Sequence, residues 1–268
     1  MIDLFSQTSY FLEVRFNDEL LSTATCFFVR RDNELFLLTN WHVVTGLNSQ
    51  NRECLDEHGR VPNKLSAHIF TDEEYINWSE FEIELYTEDE KPVWLEHPLH
   101  KRIVDVIAIK VTIPENQIVT PLEEMIEPFN ENTEIRISDD VFILGFPFSI
   151  KYGGNFPIWK RASIASEPSV DIDELPKMFL DTASRKGMSG SPVIFKTRRP
   201  VTLIESLEND MKVMSRYAIK FVGVYSGRIG TEKNESQVQL GIVWKSQVID
   251  EIIYQTIRPA AKPEDQAH

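Results

Sequence analysis

A chain of 268 residues, 42% of them hydrophobic and including 16 Phe and 5 Trp, can fill one large core or two small ones and is not a disordered polymer. Its formal net charge of −14 argues against nucleic acid as a partner, because phosphates are held by Lys and Arg. Two cysteines, Cys26 and Cys54, are too few for a disulfide-stapled secreted scaffold and fit a reducing, cytoplasmic setting.

The N-terminal segment MIDLFSQTSYFLEVRFNDE has no basic start, and acids interrupt its apolar residues, so as written it is not a secretory leader. No stretch approaches 18 uninterrupted apolar residues, and no membrane partner is expected. From residue 10 onward the apolar runs are short and many: 10–14, 26–29, 35–38, 81–85, 104–111, 141–144, 193–195, 221–225 and 238–244. They are rich in Val, Ile and Phe and mostly bounded by turn residues, which predicts an all-β sandwich or barrel. Asp32-Asn33 reads as a hairpin turn between two of them. His42 closes a strand-like run, FLLTNWHVV (36–44). Cys54-x-x-x-His58 and His97-x-x-His100 have metal-like spacing, but neither has a convincing second pair, so no metal and no cofactor is expected. Residues 72–96 hold ten Asp/Glu against one Lys and read as a solvated acidic face or loop. Residues 113–132, rich in Pro and Glu, look like a linker between two β-rich halves. A weaker helical segment is expected over 203–214. The one good helix follows Ser246 as cap, with Val248, Ile249, Ile252 and Ile253 on one face. From residue 258 the chain reads as a disordered tail.

Three residues stand out against this background. An oxygen nucleophile needs a base, a group that orients the base, and donors for the developing oxyanion. In RKGMSGSPVI (185–194), Gly187 and Gly190 flank Met188-Ser189, leaving room for a carbonyl against the N–H groups of Gly187 and Ser189. Taken alone, the stretch fits a Gly-Ser turn ahead of a strand equally well. Asp105 sits in RIVDVIAIKV (102–111), where a carboxylate in an apolar strand is costly unless paired; an exposed turn-capping Asp is the alternative. His42 supplies an upstream base, although a lone His after a strand is more often structural. A G-x-S-x-G elbow does not fit, since Ser191 occupies its fifth position and the only downstream histidine is His268.

The order His42, Asp105, Ser189, with TNWHVV, DVIAIKV and GMSGSPVI around them, resembles the chymotrypsin/trypsin-like serine peptidases, especially the bacterial branch of trypsin-like peptidase domains. FILGFP (142–147) resembles a strand that opens the second barrel in that branch. The resemblance covers about residues 8–257 and implies two six-stranded antiparallel β-barrels with a C-terminal helix. On that pattern residues 1–257 form one peptidase domain: barrel one about 8–115, linker about 116–132, barrel two about 133–245 and helix about 246–257. It also implies a serine endopeptidase. Ser189 is then the nucleophile, His42 the general base and Asp105 its orienting acid, with the Gly187 and Ser189 N–H groups as the oxyanion hole. Ser226 would help position Asp105, Ser226, Gly227 and Arg228 would pair with the backbone of a polypeptide substrate, and Gly241 would line the pocket for the residue before the scissile bond. Ala183 at the base of that pocket is uncharged, which predicts a small or apolar substrate side chain; Arg185 and Lys186 read as loop charge near its mouth. Met188 stands where secreted animal members carry an Asp that receives a new N-terminus, so that activation route is not expected. Cys26 has no disulfide partner beside His42 and is expected in the core. The alternative is a latent or catalytically silent trypsin-like domain, a binding or regulatory module controlled by an activating or regulatory protein partner.

Overall fold

The computed structural model describes residues 2–126, 134–151, 155–183, 185–202, 213–228 and 240–257. Short runs of branched and aromatic residues cannot sustain long helices, and the chain folds into thirteen strands in two lobes among these residues. In the first lobe β1 (Ser9–Phe16), β2 (Glu19–Arg31), β3 (Glu34–Thr39), β4 (Lys64–Phe70), β5 (Trp78–Glu84), β6 (Trp94–Glu96) and β7 (Ile107–Val111) form one antiparallel sheet in the order β5-β4-β1-β2-β3-β7-β6. In the second, β8 (Asp140–Gly145), β9 (Ile158–Ile164), β10 (Lys177–Asp181), β11 (Pro192–Thr202), β12 (Val213–Arg228) and β13 (Leu240–Lys245) close a six-stranded barrel in the order β10-β13-β12-β11-β8-β9. The all-β, chymotrypsin-like architecture is therefore present. The first lobe differs in detail from a six-stranded barrel, since its seven strands stay open between β5 and β6.

Asp32 and Asn33 both take left-handed backbone (φ 50° and 65°), the conformation a two-residue hairpin between right-twisted strands requires. The run 36–44 is not strand throughout. Strand β3 stops at Thr39, and α1 (Trp41–Thr45) turns the chain, closed by Gly46 at φ 64°. The Thr45 hydroxyl donates to the Trp41 carbonyl (2.9 Å), giving local polar bonding that a strand would not use. After β13 the helix α2 (Gln247–Tyr254) buries Val248, Ile249 and Ile252, with Ile253 half-buried. Ser246 precedes it but its side chain makes no capping bond, contrary to expectation; its N–H instead donates to Val222 O (3.0 Å), tying the helix start to β12. Val213 and Met214 lie in β12, whereas 203–212, the linker residues 127–132 and the tail from 258 lie outside the described residues.

Three apolar clusters follow. One fills the first lobe around Tyr10, Phe28, Leu37 and Ile69. Another fills the barrel around Ile143, Leu180, Val193 and Tyr225. The third joins the lobes, packing Phe27, Phe36 and Val106 against Leu144, Ile194, Trp244 and the buried face of α2. The single 3-10 turn Leu122–Met125 lies at that seam, with Leu122 buried in it. Cys26 is a fully buried free thiol in the first cluster, and burial pushes its pKa up. No helix among the described residues is long and apolar enough to cross a membrane.

Candidate active site

Each lobe contributes part of one site at the seam. β3 ends at Thr39, and Asn40 Nδ2 donates to Asp105 O (2.7 Å), which fixes the start of α1 beside the loop ahead of β7. This puts His42 on the first turn of α1, facing Asp105. The His42 N–H donates to Asp105 Oδ1 (2.9 Å), and Nδ1 lies 2.6 Å from Oδ2. A carboxylate only accepts, so Nδ1 carries the proton and Nε2 presents its lone pair. That lone pair faces Ser189 Oγ at 2.9 Å. The Ser226 hydroxyl donates to Asp105 Oδ2 as a third bond to the carboxylate. Asp105 is nearly sealed from solvent (side chain 4% exposed), while His42 keeps 19% of its surface and Ser189 is half-buried. Burial pulls the His42 imidazole down, but the Asp105 charge and hydrogen bond outweigh it and leave its pKa above the ordinary value.

The turn carrying Ser189 is held from three directions. From β2, the Thr25 N–H donates to Ser189 O (2.8 Å). From β12, Tyr225 O accepts from the Gly190 N–H (3.0 Å), and the Tyr225 N–H donates to Ser191 O (2.9 Å). From the loop after β8, the Phe148 N–H donates to Lys186 O (2.8 Å). A planar trans peptide points its C=O and N–H in opposite directions, so this last bond turns the Gly187 N–H away from Phe148. Among the described residues neither the Gly187 nor the Ser189 N–H donates to a protein atom. Gly187 needs to be glycine: its φ is 91°, and a Cβ there would lie 2.2 Å from Phe146 O. Met188 is fully buried in the barrel core, so apolar packing anchors the residue before Ser189.

The other sequence-predicted residues lie around this centre. Ser226 and Gly227 (φ 102°) sit where the β12–β13 pairing shifts register, between Tyr225 and Arg228. Ala183, half-buried, follows the end of β10, and Gly241 of β13 pairs with Leu180 of β10. A Cβ on Gly241 would come within 2.6 Å of the Tyr225 ring and 3.0 Å of Thr182 Cγ2. An open cleft of about 790 Å³ runs from His42, Gly187 and Ser189 along Leu20, Leu55 and Pro62.

Sequence reasoning missed Thr25. Its buried hydroxyl donates to Gly187 O (2.9 Å) and accepts from the Phe146 N–H (3.3 Å), joining the glycine of the Ser189 turn to the end of β8. A threonine in the strand run TATCFF carries no sequence signal of such a role. Neither metal-like spacing gathers ligands: Cys54 is exposed, and His97 Nε2 lies 3.0 Å from Glu251 Oε2 of α2. The one cluster of metal-ligating groups close enough together among the described residues is Glu13, His68 and Glu80. There the protein supplies its own cations. Arg15 pairs with both carboxylates, and Lys151 Nζ stands 3.0 Å from His68 Nδ1.

A hydroxyl, an imidazole and a buried carboxylate in line between two β lobes define a site of the serine-peptidase type. The family profile of the trypsin-like peptidase domain matches residues 24–202, and the chain belongs to that family. No curated protein matches it. Among solved structures it is similar to a serine endoprotease from Yersinia pestis, at TM-score 0.48 and 12% identity over 93% of this chain; the chain spans 62% of that protein. It is similar also to AL20, a thermostable serine protease from an extremophilic microorganism, at TM-score 0.48 and 12% identity over 94% of this chain and 97% of that one.

Proposed function

We propose that this domain is a serine endopeptidase that hydrolyses peptide bonds through an acyl-enzyme on Ser189. The observation that carries the reading is the unbroken relay from Ser189 Oγ to His42 Nε2 (2.9 Å) and from His42 Nδ1 to Asp105 Oδ2 (2.6 Å). In the proposed reaction Ser189 Oγ attacks the scissile carbonyl as His42 Nε2 takes its proton, and Asp105 stabilises the imidazolium that forms. The Gly187 and Ser189 N–H groups receive the oxyanion. Collapse passes the proton from His42 to the leaving amine. Water, deprotonated by His42, then attacks the acyl carbon and releases Ser189. The polypeptide would lie along Ser226–Arg228 on one side of the scissile bond, as an added strand, and in the cleft beside Leu20 and Leu55 on the other.

A fluorophosphonate probe tests this directly. It should label Ser189 in the folded protein, Ser189→Ala should remove the labelling, and a casein digest should show new termini. A folded protein that neither labels nor cleaves would instead be the silent regulatory module.

A further inference from the structure

Alternation along a strand decides which side chains enter the barrel. In β9, Lys160, Ala162 and Ile164 share one face, and Ala162 and Ile164 belong to the barrel core. In β10 and the residue after it, Met178, Leu180 and Thr182 likewise share the inward face. Lys160 therefore points inward, and its Nζ donates to Thr182 Oγ1 (2.6 Å). This end of the barrel is the catalytic end. Lys160 pairs with Ile143 of β8 two residues before Gly145, and a Cβ on Gly145 would lie 3.2 Å from the sulfur of Met188, the residue before Ser189. Thr182 in turn lies against Gly241 together with the Tyr225 ring.

The chain carries 42 acids against 28 Lys and Arg, and Lys64, Lys91, Lys110, Lys177, Lys196 and Lys245 all have a carboxylate within ion-pair distance. Lys160 has none among the described residues, although it is half-buried. An ammonium drawn from water into a largely apolar barrel is unfavourable without a counter-charge. Burial, and secondarily the Arg185 guanidinium, hold its pKa below the ordinary lysine value. A counter-charge supplied by the substrate would account for both the position and the missing partner.

We propose that Lys160 makes this site selective for a carboxylate side chain, glutamate or aspartate, in the substrate residue immediately before the scissile bond. Thr182 holds the ammonium in place, and the uncharged Ala183 brings no carboxylate to compete with the substrate for it. This replaces the small or apolar preference that Ala183 alone implied, and it rests on the peptidase reading of Ser189.

The test is a peptide series differing only at that residue: Glu, Asp, Gln, Leu and Arg. Wild type should cleave after Glu or Asp with kcat/KM roughly tenfold to a hundredfold above Gln, the range of one charge-assisted bond. Lys160→Met should collapse the Glu/Gln ratio toward one, and Lys160→Arg should keep most of it. Preference for Leu or Arg, or an unchanged ratio in Lys160→Met, overturns the proposal while leaving fluorophosphonate labelling of Ser189 intact. A binding arm works without turnover. In Ser189→Ala, calorimetric titration should show tighter binding of a peptide ending in a glutamate residue, its C-terminus free, than of the same peptide ending in glutamine. Equal affinity, or no binding of either, overturns it as well.

Discussion

Replacing Thr25 by Val keeps the shape of the side chain and removes only its hydroxyl. Two buried groups then lose a partner, the Gly187 carbonyl (2.9 Å) and the Phe146 N–H (3.3 Å). Each unsatisfied group costs about 1–3 kcal/mol, and the longer bond lies toward the low end, so the variant should be about 2–4 kcal/mol less stable. For a chain of 268 residues that lowers Tm by about 4–8 °C. The catalytic effect has a different origin. The Thr25 hydroxyl fixes the carbonyl of the very residue whose N–H faces the proposed oxyanion. Complete loss of one such donor costs about a hundredfold to a thousandfold in rate, which sets the ceiling. Partial misplacement should slow Ser189 labelling by about tenfold to a hundredfold with little change in probe affinity. The assay is the second-order labelling rate beside a urea melt, with Thr25→Ser expected to recover both. A Thr25→Val protein that labels at the wild-type rate, however unstable, would reduce Thr25 to a packing residue and refute the link to Gly187.

Further outcomes follow from the same geometry. A protonated His42 cannot take a proton from Ser189, so the labelling rate should fall with decreasing pH, with its midpoint above the 6.5 of an ordinary histidine. In Asp105→Asn burial is left unopposed, so the midpoint should drop below 6.5 and the rate fall about 10⁴-fold, read from the same pH series. Gly190→Ala places a Cβ 2.2 Å from Thr25 O at φ 82°; it should abolish labelling and lower Tm, and a normal melt with normal labelling would contradict the geometry. His68 is buried and neutral, pushed down to about 4 by burial and then by the Lys151 charge. The unfolded chain binds this proton near 6.5 and the folded chain does not, so stability should rise with pH across roughly 4 to 6.5; Tm plotted against pH should lose that slope in His68→Asn.

The sequence was legible where side chains repeat their chemistry along the chain. Runs such as 10–14, 35–38 and 141–144 are strands because nothing in them conflicts with a pleated, half-buried surface. The strands that escaped notice are β4, β6, β9 and β10: β6 is only three residues long, and polar residues interrupt the apolar ones in the others, Ser66 and His68 in β4, Lys160 and Arg161 in β9, Lys177 and Asp181 at the ends of β10. Their partners lie far away in sequence, so no local pattern announces them. His68, for example, stacks on Trp78 with ring centroids 4.1 Å apart and meets Lys151 from the other lobe. His42, Asp105 and Ser189 could be picked out because an ionisable or hydroxyl group amid apolar or glycine-rich sequence demands an explanation. Thr25, Thr182 and Lys160 meet their partners through barrel closure and lobe contact, which only the folded chain brings about. The short helix at 41–45 was hidden for the opposite reason, since Val43 and Val44 favour strand and only the turn geometry at Asn40 and Gly46 overrides them.

The Thr25 clasp has a mechanical side. Ser189 and its glycines belong to one lobe, yet part of what holds them belongs to the other: Thr25 clasps them through its N–H and its hydroxyl, and nearby the Ser9 hydroxyl donates to Leu144 O (2.7 Å) near the end of β8. The alignment of Ser189 with His42 is thus a property of the seam, as in a joint, and neither half contains it. Any strain that slides the lobes by the length of a hydrogen bond would part Ser189 Oγ from His42 Nε2 while leaving both folds intact.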